Sequence, residues 1–266
     1  NGKPDRYLDA TSPESRLGPL PAMDARAAAI RVVFGGTTPV VTLPASTPAE
    51  HGIDGVWSFA LGNNGNADIG IDETHSGDSA FWLRTSLKQQ ASSATWLEKY
   101  HSVASFPQIE VLPEGIDFKG ELPQGKATLK FKAKSAALAR KEGSDLVMSV
   151  HYGIPGVGQL APLVKRVTPV VLPPHMAPSL DVVKAVITPP PGYKVAEMNI
   201  GGEVNGGAYG KASLTFEKGD KGTVVVKRTF SLDQSNISVA EYDAWRAFLL
   251  KVDALFRREI RFVKGS

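Results

Sequence analysis

Between Thr128 and Lys134 the apolar side chains Leu129, Phe131 and Ala133 alternate with Thr and Lys. A strand turns successive side chains to opposite faces, so this run predicts a sheet packed on one side and wet on the other. Short β-branched and aromatic runs at 30–34, 40–43, 56–61, 146–152 and 180–188, bounded by Gly, Pro and Asn, predict further strands. The turn formers at 62–66 predict that the strand over 56–61 enters a hairpin. Residues 212–218 and 223–232 flank Gly219-Asp220-Lys221-Gly222 and predict a hairpin with a four-residue loop, and 260–263 alternates as a closing strand.

Two stretches follow the helical period instead. From 79 to 105, Ala80, Leu83, Leu87, Ala94, Leu97 and Tyr100 recur at three- and four-residue spacing without Gly or Pro, which predicts an amphipathic helix or a bent pair. The break falls at Ser92-Ser93, where Ser92 can cap the second helix, and Phe106-Pro107 ends it. Ser238-Val239-Ala240-Glu241 fits a capping box. The helix it opens carries Tyr242, Trp245, Leu249, Val252 and Phe256 on one stripe, widened by Phe248 and Leu255, and this stripe must be buried on a sheet.

These elements define a mainly β, or α+β, protein of two antiparallel β-rich, sandwich-like units, each with a packed helix. Six prolines between 153 and 178 mark the seam. Residues 1–27 read as a strand end and linker. Residues 28–172 form a unit with its helix near 79–105, and 173–266 a unit with its helix near 239–257.

The chain has 266 residues and no cysteine, which removes thiol nucleophiles, Cys-ligated metal sites and disulfides. Its 30 basic and 27 acidic residues are interspersed, so it carries no nucleic-acid footprint. The densest basic stretch, Arg257, Arg258, Arg261 and Lys264, follows a helix C-terminus, where cations complement the dipole. No apolar run approaches the roughly 18 residues of a spanning helix.

Motifs for chemistry are sparse. The five histidines, His51, His75, His101, His151 and His175, show no metal-site spacing, and no cofactor or metal is expected. Thr74-His75-Ser76-Gly77-Asp78-Ser79 gathers hydroxyl, imidazole and carboxylate but lacks the nucleophile-elbow frame, so it reads as a turn and helix cap made by Ser76, Asp78 or Ser79. The run 201–207 reads as glycine turns. Glu110, Glu114 and Asp117 match no calcium loop and read as solvated loop charge. A carbohydrate-binding sandwich would need a planar row of exposed aromatics, whereas Trp57, Trp82, Trp96 and Trp245 all read as core by their periodicity.

Tyr7-Leu8-Asp9-Ala10-Thr11-Ser12-Pro13-Glu14, followed by Leu17-Gly18-Pro19-Leu20-Pro21, resembles the segment that carries the last member of the Cys–His–Asp triad in transglutaminase-like proteins. Asp9 takes the matching position. The run 237–242 with 245–249 and 252–253 resembles the terminal helix of bacterial proteins that join a transglutaminase-like core to uncharacterised β-rich domains. Trp57, Gly77-Asp78-Ser79-Ala80, Leu83-Arg84 and Leu97-Glu98 occur in the order found after that core. The Cys is absent, and a triad reduced to Asp9 cannot perform acyl transfer. The resemblance therefore implies a non-catalytic C-terminal region of a periplasmic or envelope protein, with a structural or protein-binding role and the upstream core as a partner. Its alternative is a hydrolase or acyltransferase whose Cys and His lie on a separate or cleaved chain.

Overall fold

In a computed structural model, residues 20–22, 24–31, 35–36, 39–89, 92–104, 108–121, 125–149, 160–198 and 201–265 are described. The alternating pattern first closes into a sheet at β3 (Gly52–Leu61) and β4 (Ala67–Ser76), which pair antiparallel along their whole length. Their turn is closed by Gly62 N–H to Asn66 O at 2.9 Å, as the turn formers predict. Of the strands read from the sequence, those at 40–43, 128–134 and 146–152 form as β2 (Val40–Thr42), β6 (Ala127–Ser135) and β8 (Asp145–Ser149), and 30–34 meets β1 (Ala28–Ile30) at Ile30. While β1 pairs with β2, β5 (Ile109–Lys119), paired with β6, and β7 (Ala139–Glu142), paired with β8, are strands that the sequence reading lacks. Beyond them come β9 (Val170–Val171), β10 (Ser179–Thr188), β11 (Tyr193–Met198), β12 (Gly202–Asn205), β13 (Gly210–Lys218), β14 (Val224–Leu232), β15 (Asn236–Ile237) and β16 (Glu259–Lys264). The run read as glycine turns is partly the edge strand β12, because pairing with β13 supplies its backbone partners.

The protein is mainly β, with helices packed on its sheets. Eight strands form one sheet in the order β12-β13-β14-β10-β3-β4-β6-β5, and four form a second in the order β11-β16-β8-β7. Neighbours in the large sheet run antiparallel except β10 and β3, which are parallel. That pairing joins the β13–β14 hairpin to the β3–β4 hairpin, and residues from both sides of position 172 share both sheets.

The helical stretch after β4 is a bent pair, α1 (Gly77–Gln89) and α2 (Ser93–Ala104). Ser92 Oγ accepts the Thr95 N–H at 3.3 Å, the predicted cap. The stop at Phe106-Pro107 lies outside the described residues. On α3 (Tyr242–Phe256) every residue of the predicted stripe is buried. The helix lies on β12 and β13, and at Gly206 an added Cβ would stand 2.5 Å from the Phe248 ring, so glycine is needed there for the close approach. The capping box is half formed. The Glu241 carboxylate accepts the Ser238 N–H at 3.0 Å, but the Ser238 hydroxyl also donates to Glu241 and takes no helix N–H. One hydrophobic cluster draws on both main sheets and all three helices.

Candidate functional site

Strand parity assigns polar side chains to the buried face of the large sheet. On β4, Glu73 and His75 share parity with Ala67, Ile69 and Ile71; on β10, Asp181 with Val183, Ala185 and Ile187; on β14, Arg228 with Val224, Val226 and Phe230. Since β14, β10, β3 and β4 are consecutive in the sheet, these residues converge. Arg228, Val183, Gly55 and Glu73 occupy one row across it, and Phe230, Asp181, Ile53 and His75 the next. Gly55 leaves room for the Trp57 indole, since an added Cβ would sit 3.1 Å from Trp57 Nε1.

The indole Nε1–H donates to Glu73 Oε1 at 3.0 Å, and Glu73 Oε2 meets His75 Nε2 at 3.1 Å. His75 Nδ1 lies 2.8 Å from Ser79 Oγ. With Nε2–H donating to the carboxylate, Nδ1 accepts the Ser79 hydroxyl. Serine, imidazole and carboxylate thus stand in the order of nucleophile, base and orienter. Yet Glu73, His75 and Ser79 are 1%, 0% and 6% exposed, which leaves no space for an acyl carbonyl beside Oγ. The chain of hydrogen bonds fastens the first turn of α1 to β4.

Beside it lies a cavity of about 10 Å³, room for about one water, lined by Ile53, Trp57, Glu73, Tyr100, Asp181, Val183 and Arg228. Tyr100 reaches it from α2. Asp181 accepts the Ile53 N–H at 3.1 Å, and the Arg228 guanidinium lies 5.9 Å from the Trp57 ring and 5.5 Å from the Phe256 ring. Burial pushes the Asp181 carboxyl up, against the pull of Arg228 and His75. Burial brings Arg228 down to about 10 against Asp181 and Glu73, and carries the Tyr100 phenol well above its ordinary range.

The helix cap after β4 is made differently from the sequence reading. The Asp78 N–H donates to His51 Nδ1 at 3.1 Å, and the Asp78 carboxylate reaches outward to accept the Ala22 N–H at 2.8 Å. Neither Ser76, Asp78 nor Ser79 supplies the cap, because His51 arrives on the segment that leads into β3 and occupies its place. His51 Nδ1 also stands 3.3 Å from Asp78 Oδ2. Burial lowers the His51 pKa against the raising effects of Asp78 and Glu50, and raises that of Asp78 against Ala22 and His51.

Asp9, His151 and the side chain of His101 lie outside the described residues. Glu110, Glu114 and Asp117 are exposed on the edge strand β5, and among the described residues no cluster of three or more His, Asp or Glu is arranged to hold a metal ion. Trp57 and Trp245 are core, as predicted. Trp82 and Trp96 are only half-buried: Trp82 stacks on His175 at 5.1 Å and Trp96 on Tyr100 at 5.2 Å, so their faces meet other rings and form no planar row toward solvent. Arg257 pairs with Asp253, and Arg261 with Asp145 and Glu142, so these C-terminal cations are largely neutralised. Sequence reasoning missed Glu73, Asp181, Arg228 and the role of His51; parity on β4, β10 and β14 is the signal that marks the first three.

Residues 160–262 match the family described as a Domain of Unknown Function with solved structure (DUF3858). Among solved structures, a chain described as "a putative protease from Parabacteroides distasonis ATCC 8503" is similar at 22% identity and a TM-score of 0.36. The alignment covers 44% of this chain and 23% of that one, so this chain corresponds to under a quarter of the length of that relative. No curated protein matches. Among the described residues no helix is long and apolar enough to cross a membrane.

Proposed function

We propose that this chain is a non-catalytic C-terminal region of a bacterial transglutaminase-like envelope protein, with a structural or protein-binding role. The observation that carries the reading is the closure of its best chemical constellation. Ser79, His75 and Glu73 satisfy one another inside the core, and the neighbouring cavity has room for about one water. A binding role draws support from the loop before β9, where Leu163 and Val167 are 84% and 83% exposed. The loop is nevertheless held: Tyr242 Oη donates to Pro162 O at 2.6 Å and Arg246 Nε to Ala161 O at 3.1 Å. Apolar side chains displayed on an anchored loop fit a contact surface better than a mobile connection does.

The test is an assay of peptide hydrolysis and amine transfer with the 266-residue chain, alone and mixed with a Cys-containing transglutaminase-like core. The expected result is no turnover by the chain alone, and binding to the core without dependence of turnover on Asp9. Activity of the chain alone that vanishes in Ser79→Ala overturns the reading. So does activity gained on mixing and lost in Asp9→Ala.

A further inference from the structure

Arg228 is only 5% exposed, and its Nε and Nη1 donors meet no acceptor among the described residues. Both belong to a side chain that lines the cavity shared with Glu73, Asp181 and Tyr100. A buried donor without an acceptor is costly, and a guanidinium in the centre of a sheet face is more so. The surrounding groups define what can satisfy it.

We propose that this cavity is a binding site for one long-lived water molecule, which accepts from Arg228 and donates to the carboxylates of Asp181 and Glu73. Size restricts the occupant to about one heavy atom. Charge restricts it further. An anion at Arg228 would face Asp181 and Glu73, and a cation at the carboxylates would face Arg228, so a neutral molecule that both donates and accepts fits best. Tyr100 gives the site a consequence for the fold. It is the contribution of α2 to the cavity wall, so the water fills the space that side chains leave open between α2 and β14, β10 and β4.

The experiment counts long-lived internal waters in the full chain by oxygen-17 magnetic relaxation dispersion, and measures cross-relaxation from water to the Trp57 indole N–H. Two variants accompany the parent. Val183→Ile keeps every charge and adds a group of about a water's size to the cavity wall, and Arg228→Met removes the donors. The expected result is water contact at Trp57 in the parent, and one fewer long-lived water with a several-fold weaker Trp57 signal in each variant. Absence of that contact in the parent overturns the proposal whether or not the variants fold. Equal counts in the parent and folded Val183→Ile also overturn it. A parent melting temperature that rises with chloride but not with sulfate at matched ionic strength places an anion there instead, and likewise overturns it.

Discussion

The helix-covered face of the large sheet is built in two ways. Over β12 and β13, the stripe of α3 supplies Trp245, Leu249, Val252 and Phe256 to an apolar layer. Over β14, β10, β3 and β4, the same face carries Arg228, Asp181, Glu73 and His75, covered by residues of α1 and α2. The first region is stabilised by area removed from water, which tolerates small displacements. The second depends on every donor finding its acceptor, which does not. The boundary between them is physical as well as topological: Phe256 of α3 packs edge-on against Phe230 at 6.0 Å and also faces the Arg228 guanidinium.

The largest expected effect is on the apolar side. Trp245→Ala should destabilise by about 3–5 kcal/mol, the cost of a large cavity under a fully buried ring, measured by chemical denaturation. An unchanged midpoint would remove α3 from the core. On the polar side, Glu73→Ala strands both the Trp57 indole and His75 Nε2 and should cost about 2–5 kcal/mol. Glu73→Gln should cost much less, because its amide oxygen still accepts from Trp57 and the imidazole can move its proton to Nδ1. Equal losses in the two variants would mean that the negative charge, rather than the hydrogen bonds, holds the region together.

Acid sharpens the contrast further. The His51 pKa is lowered from 6.5 in the folded chain, so below about pH 6.5 the unfolded chain binds a proton that the folded one refuses, and stability falls as pH drops. Asp78 and Asp181, raised in the fold, act in the opposite sense, because as pH falls the folded chain takes up their protons before the unfolded one does. His51→Asn keeps an acceptor for the Asp78 N–H without a titrating ring. Between pH 7.5 and 5.5 it should flatten the stability profile by up to about 1.4 kcal/mol per pH unit, read from denaturation midpoints. A parallel profile would show that His51 does not titrate differently on folding. The smallest effect is at the surface, where Arg257→Ala breaks an exposed i,i+4 pair with Asp253 and should change stability by about 0.5 kcal/mol or less.

Much of the fold was legible because periodicity reports which side of an element is dry. The stripe of α3, the alternation of β6 and the break capped by Ser92 all follow from local pattern. The candidate site was harder to read. His75 and Ser79 stood out as a local polar run, yet the run stopped short of Glu73 on β4, which holds His75 by one oxygen and the Trp57 indole of β3 by the other. The cap of α1 was misassigned because His51 lies 27 residues from Asp78 and no local rule brings it there.

The sequence by itself determined the helical stretches and most of the longer strands, but Glu73, His75, Asp181 and Arg228 were not read from it as facing the interior. Only the tertiary structure decided that they meet. Parity sets the face a side chain occupies but carries no information about which strands become neighbours, and the parallel insertion of β10 between β14 and β3 made that choice. Once β10 lies there, Asp181 stands beside Ile53, Arg228 and Glu73 share a row, and four polar residues from distant parts of the chain gather on one face of the sheet.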